Sequence, residues 1–232
     1  MPRTARIAPK EHTYHILTRG NNRQIVFKED SDYEKYTDII IKYKNKYSFK
    51  LYHYVLMTNH IHLVMEPSQK GGELSQIMKG INLSYAQYYK NKYKHIGHFW
   101  QDRYKSVIIS KDKYLLACGS YVELNPVRAK IAQDPKEYKW SSYKAYAYGK
   151  QDPITDRHPI YEQLSDDETE RRQKYREFVK GMQKDKKALK GEMDRRAVYG
   201  SEEFTKEIIK QYKIAAVIRP KGRPKSEENK TK

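Results

Sequence analysis

The stretch Leu51-Tyr-His-Tyr-Val-Leu-Met-Thr-Asn-His-Ile-His-Leu-Val-Met65 decides the fold. Two runs of strand-favouring residues flank Thr58-Asn59, so the segment reads as a hairpin, with strands at Leu51 to Met57 and His60 to Met65. Upstream, HTYHILT (residues 12–18) reads as a strand ending at the turn signal Arg19-Gly-Asn-Asn22. Between them, Tyr33, Tyr36, Ile40, Tyr43 and Tyr47 recur at three- and four-residue spacing, which predicts a helix over Asp30 to Tyr47. Downstream, Pro67 to Gly72 is a loop. Leu74, Ile77, Met78, Ile81, Tyr85 and Tyr88 then mark one face of a helix reaching about Tyr93. Tyr104 to Ile109 is a fourth strand, and Ser110 can cap a helix from Lys111 to about Leu124. The order is strand, helix, strand, strand, helix, strand, helix. That is the ferredoxin-like split βαβ arrangement, an α+β fold with an antiparallel sheet and helices on one face.

The chain has 232 residues and a formal net charge of +18, and 22 of its residues are Tyr. Residues 1–150 carry 26 basic and 13 acidic side chains, net +13, and residues 151–232 carry 21 and 16, net +5. Three parts are expected: a main domain over 1–150, a helical C-terminal extension over 151–218 and a flexible basic tail over 219–232. No run approaches the roughly 18–20 apolar residues of a membrane span, and the N-terminus lacks an apolar signal segment. A lone cysteine, Cys118, excludes an internal disulfide and a Cys-built zinc cage. The charge points to an anionic partner, nucleic acid before acidic membrane.

Within the second hairpin strand, His60 and His62 are two apart and point the same way, with Ile61 toward the core. The imidazoles either sit on a solvated strand face or grip one metal ion. An open site with two His, an oxygen ligand and water fits better than a closed structural site. Tyr121 stands out by its company in Tyr121-Val-Glu-Leu-Asn-Pro-Val-Arg-Ala129. Asn125, four residues on, shares its helix face, or else caps a new turn with Pro126 in first position. Arg128 suits a phosphate or a surface carboxylate, and Glu123 is expected in solvent.

Thr58-Asn-His-Ile-His-Leu-Val64 resembles the His-hydrophobe-His signature of the HUH single-tyrosine transposases. Four more segments resemble the REP-associated tyrosine transposase branch: Thr18 to Gln24, Gly97 to Ser106, Tyr121 to Ala129 and Trp140-Ser-Ser-Tyr143. They follow the family's order across residues 1 to about 150, which the resemblance makes an HUH-type catalytic domain. It implies that Tyr121 is the nucleophile and that His60, His62 and Asn125 hold a divalent metal, Mg²⁺ or Mn²⁺. Asn125 stands where Gln or Glu is more familiar. Two imidazoles favour Mn²⁺ by ligand softness.

The resemblance further implies nicking and rejoining of single-stranded DNA beside palindromic hairpins, through a 5′-phosphotyrosine intermediate and a free 3′-hydroxyl. No nucleotide cofactor is expected, and no Walker-type run is visible. The setting would be the cytoplasm of a prokaryotic cell, at the nucleoid, with monomer and homodimer both open. Candidate DNA contacts are Arg3 and Arg6 in the N-terminal arm, Arg19 and Arg23 in the first loop, Arg103 and Lys105 beside the fourth strand, and Arg128. His98, Phe99 and Trp100 form either a stacking ledge or a core cluster. Arg219-Pro-Lys-Gly-Arg-Pro-Lys225 is similar to Arg-Pro-rich arms that lie in an AT-rich minor groove. Two other functions compete: a domesticated hairpin-binding protein that does not cut, and a metal-dependent hydrolase that activates water.

Overall fold

The computed structural model describes residues 8–184 and 196–214. In chain order the main elements are β1 (Thr13–Arg19), α1 (Asp30–Tyr47), β2 (Lys50–Met57), β3 (His60–Glu66), α2 (Leu74–Tyr93), β4 (Lys105–Ile109) and α3 (Lys113–Glu123). The short α4 (Asn125–Arg128), α5 (Tyr143–Tyr148) and α6 (Pro159–Glu162) follow, then α7 (Glu168–Lys184), β5 (Val198–Tyr199) and α8 (Glu202–Tyr212). The sheet order is β2-β3-β1-β4-β5. The first four strands pair antiparallel, as the split βαβ order requires, and β5 adds two residues parallel to β4.

Helices α1 and α2 cover one sheet face. Tyr36, Ile40, Ile77, Ile81 and Tyr85 bury there against Ile16, Ile61 and Leu63. Both helices start with a capping box, Glu29 with Asp32 and Glu73 with Gln76, which satisfies the first backbone N–H groups. Helix α3 corrects the expectation of helices on one face: it lies across the opposite face. Leu115, Cys118, Tyr121 and Val122 pack there on Val55, Met57, Val64, Val107 and Ile109. The reason is in the strands, whose residues are buried almost without interruption, seven of eight in β2. A sheet with apolar residues on both sides needs cover on both.

Helix α3 is itself apolar on a second side. Leu116 and Leu124 bury against Tyr146, Tyr161, Tyr175 and Val179, so α5, α6 and α7 form a further layer over α3. The expected Ser110 cap is displaced by two residues: Asp112 is the N-cap and accepts from the Tyr114 N–H, while Ser110 Oγ donates to Asp112. Between Leu51 and His53 the β2–β3 register shifts. As a result Tyr52 and His53 both turn to the α3 side, while Leu51 stays in the α1–α2 core.

Candidate functional site

The His-x-His strand brings both imidazoles to the α3 face, as alternation requires, but α3 closes over them instead of leaving them in solvent. His62 is 4% exposed and His60 is half-buried. Their ring centroids are 5.0 Å apart. Burial, then the charge of Arg19, lowers His60 to about 4. Burial also takes His62 well below the ordinary histidine range, helped by His15, His60, Arg128 and Arg19. Burial thus favours the neutral form of both rings. His60 Nδ1 lies 2.7 Å from Asn59 Oδ1, and His62 Nδ1 lies 2.8 Å from His15 Nε2.

Tyr121 comes over this strand from α3. Its ring stands edge-on to His15 at 6.0 Å and to His62 at 6.2 Å between centroids. Arg128 places its guanidinium carbon 4.2 Å from the Tyr121 ring centroid and donates through Nη2 to the Tyr121 carbonyl. The alternatives left open for Arg128, a phosphate or a carboxylate, thus meet a third outcome: its cation lies on the tyrosine itself. Asn125 donates through Nδ2 to the carbonyls of Tyr121, 3.1 Å, and Val122, 3.0 Å. It therefore closes the end of α3, with Pro126 next in α4, and its side-chain oxygen is what it can offer a cation.

Glu123 overturns its expected solvation. It is fully buried and accepts from Ser142 Oγ at 2.6 Å, Tyr175 OH at 2.6 Å and His53 Nδ1 at 2.9 Å. One carboxylate thus ties α3 to β2, to the Trp140–Tyr143 segment and to α7. Such a group is tolerated in a core only when its lone pairs are used. Sequence reasoning missed this knot because its members lie up to 122 positions apart in the chain order from His53 to Tyr175. The one local hint was the acidic residue between two apolar ones in Val122-Glu-Leu124. His15 was missed similarly, as one polar residue in a strand.

The basic candidates divide. Strand register sets Arg19 opposite His60, and Leu17 opposite both His62 and Lys105, so Arg19, His60 and Lys105 share one end of the sheet. Arg23 follows in the exposed first loop, where its carbonyl accepts from Asn59 Nδ2 at 3.3 Å. Arg103 and Lys105 are exposed. Arg3, Arg6 and the 219–225 segment lie outside the described residues. Phe99 is core, packed on Tyr85 and Tyr89, and Trp100 donates to the Asn82 carbonyl at 2.9 Å, whereas His98 is exposed. The Phe99 carbonyl also accepts from the Asn21 N–H and from Gln24 Nε2, which pins this segment to the first loop.

The chemistry of the donor set fits a divalent cation in part. Two imidazoles on one strand face, each with Nδ1 in a hydrogen bond, could offer a cation their Nε2 atoms wherever these carry no proton. Among the described residues no group of three or more His, Cys, Asp or Glu is arranged to hold a metal ion. A cation would therefore complete its shell with amide, water or substrate oxygens, which suits Mg²⁺ or Mn²⁺ more than structural zinc.

The sequence model of the family described as transposase, IS200 like, matches residues 9–125. No curated protein matches the sequence. The fold is similar to the solved structure of a REP-associated tyrosine transposase bound to a REP hairpin, with TM-score 0.55 and 19% identity, covering 67% of this chain and 92% of that one. A candidate transposase from Deinococcus radiodurans R1 matches at TM-score 0.36 and 16% identity, covering 57% and 94% of the two chains.

Proposed function

Starting from the fact that the chain belongs to the IS200-like transposase family, we propose that it is a single-tyrosine strand transferase of the REP-associated type. It would nick and rejoin single-stranded DNA beside palindromic hairpins through a 5′-phosphotyrosine bond on Tyr121. The observation that carries this reading is the tyrosine itself: Tyr121 is held over the His-x-His strand with a guanidinium on its ring.

His60 and His62, through Nε2, and Asn125, through its side-chain oxygen, would hold a divalent cation. Such a cation would supply Lewis-acid neutralisation of the charge on the attacked phosphodiester. Tyr121 attacks in line, its phenol proton passing to solvent; the phosphorus–oxygen bond to the 3′-oxygen breaks, and that oxygen takes a proton from water to leave as a hydroxyl. Phenol titrates near pH 10 when unperturbed, so Arg128 on the ring helps by favouring the phenolate. Conserving the phosphodiester energy in the tyrosyl ester allows rejoining without a nucleotide cofactor. Arg19, Arg23, Arg103 and Lys105 at the same sheet end would meet phosphates of the unpaired strand. Among the described residues no helix is long and apolar enough to cross a membrane, and the nucleoid of a prokaryotic cytoplasm is the proposed setting.

The test is incubation with Mn²⁺ and labelled single-stranded hairpin DNA, resolved on a denaturing gel. Wild-type protein should give a covalent adduct that Tyr121→Phe abolishes while still binding the hairpin. An adduct that persists in Tyr121→Phe refutes the nucleophile. Cleavage without an adduct identifies a hydrolase that activates water, and binding without cleavage identifies a domesticated hairpin binder.

A further inference from the structure

His15 sits in the central strand β1, in register with Val64 of β3, and is buried beneath α3. Its ring is parallel to that of His62 within 2°, with centroids 5.0 Å apart, and its Nε2 lies 2.8 Å from His62 Nδ1. A hydrogen bond between two neutral imidazoles needs a proton on one of the facing nitrogens and a lone pair on the other. The contact therefore fixes the tautomer of His62. If His62 Nδ1 carries the proton, His62 Nε2 is bare; if His15 Nε2 carries it, His62 Nε2 holds a hydrogen and cannot ligate a cation.

His60, the other imidazole of the His-x-His pair, has its own tautomer fixed by its neighbour. Its Nδ1 faces Asn59 Oδ1 at 2.7 Å, an atom that only accepts, so the proton is on His60 Nδ1 and its Nε2 is bare. Metal-binding histidines generally donate their second ring N–H to such an acceptor, which fixes ring orientation as well as tautomer. We infer that His15 is a positioning residue that accepts from His62 Nδ1–H, orients the His62 ring and leaves Nε2 free for a divalent cation, as Asn59 does for His60. His15 itself stands outside the ligand set, since its Nε2 is spent on His62. The cation half of the inference rests on the function proposed above; the tautomer half does not.

Two measurements test it. In metal-free wild-type protein labelled with ¹⁵N-histidine, NMR should place the His62 proton on Nδ1, with His15 Nε2 unprotonated; a proton on His62 Nε2 overturns the inference. Mn²⁺ titration followed by electron paramagnetic resonance supplies the second readout. His15→Phe keeps an aromatic ring but removes the acceptor, and should raise the Mn²⁺ dissociation constant by about 10–100-fold. His15→Gln restores an acceptor oxygen and should recover most of that loss. Wild-type affinity in a folded His15→Phe protein overturns the inference. If His15→Phe does not fold, His15→Gln and the wild-type tautomer decide: an Nε2 proton on His62 refutes it. Wild-type protein that binds no Mn²⁺ refutes the metal reading alone, because the metal-free tautomer still decides the role of His15.

Discussion

Replacing one helical glycine should weaken the molecule although the same change elsewhere strengthens it. Gly119 lies in α3 above His53, and a Cβ there would sit 2.4 Å from His53 Nε2 and 2.5 Å from its Cδ2 and Cε1. The ring has little room to yield. Its Nδ1 is 2.9 Å from Glu123 Oε1, and it stacks on Tyr146 with centroids 4.3 Å apart. Two effects oppose each other in Gly119→Ala. Alanine gains about 0.5–1 kcal/mol over glycine in a helix. Overpacking a filled core costs about 1–3 kcal/mol, or more where nothing moves. An overlap of about an ångström against a pinned ring belongs at the upper end, so a net loss of about 1–2 kcal/mol is expected. Among the described residues, nothing outside its own helix backbone lies within 4 Å of the same Cβ at Gly181 in α7. Gly181→Ala should therefore show only the propensity gain, about 0.5–1 kcal/mol of added stability. Urea unfolding followed by circular dichroism reads both. At a slope of about 2 kcal/mol/M, Gly119→Ala lowers the midpoint by roughly 0.5–1 M and Gly181→Ala raises it by roughly 0.25–0.5 M. A Gly119→Ala protein as stable as wild type, or more so, refutes the close packing of α3 on His53.

Glu123→Ala strands the donors of Ser142, Tyr175 and His53 in the core and should cost about 3–5 kcal/mol in the same assay; a loss below 1 kcal/mol contradicts the buried knot. Acid should destabilise the fold. Burial lowers His15 to about 4 and takes His158 well below the ordinary value of 6.5. The unfolded chain therefore binds more protons between these limits, and stability is complete above about pH 6.5 and is lost as pH falls toward 4. His15 alone accounts for about 2 kcal/mol at pH 5, so a urea midpoint that does not drop between pH 7.5 and pH 5 argues against neutral buried rings. Arg128→Ala removes the cation from the Tyr121 ring. Adduct formation should slow about tenfold, with its half-maximal pH moved upward; an unchanged pH profile removes Arg128 from the chemistry.

Much of this was legible along the chain because it depends on local periods. The helices Asp30–Tyr47 and Leu74–Tyr93 begin and end where the sequence pattern places them, since their apolar stripes and flanking loops are written in consecutive residues. The direction of His60 and His62 followed from strand alternation alone. What covers them did not. Strand alternation assigns a residue to a face, but the partner of that face depends on how the later chain returns, and α3 returns over the side expected to be open.

Glu123, Arg128 and Asn125 show the same division at the level of single atoms. Each was a polar residue beside Tyr121 in the sequence, with phosphate, solvent, cap or cation open to it. Tertiary packing assigned Glu123 to the core, Arg128 to the tyrosine ring and the Asn125 amide to the end of α3. By itself the sequence determined the split βαβ order, the His-x-His strand and the tyrosine on the following helix, because these rest on spacing within one element. Only the tertiary structure decided that His15 bonds His62 across two strands, 47 residues apart. It alone, too, decided that a buried carboxylate anchors the helix of Tyr121. The reason is physical: a hydrogen bond is set by ångström-scale distance and angle, and neither is encoded in the separation of two residues along the chain.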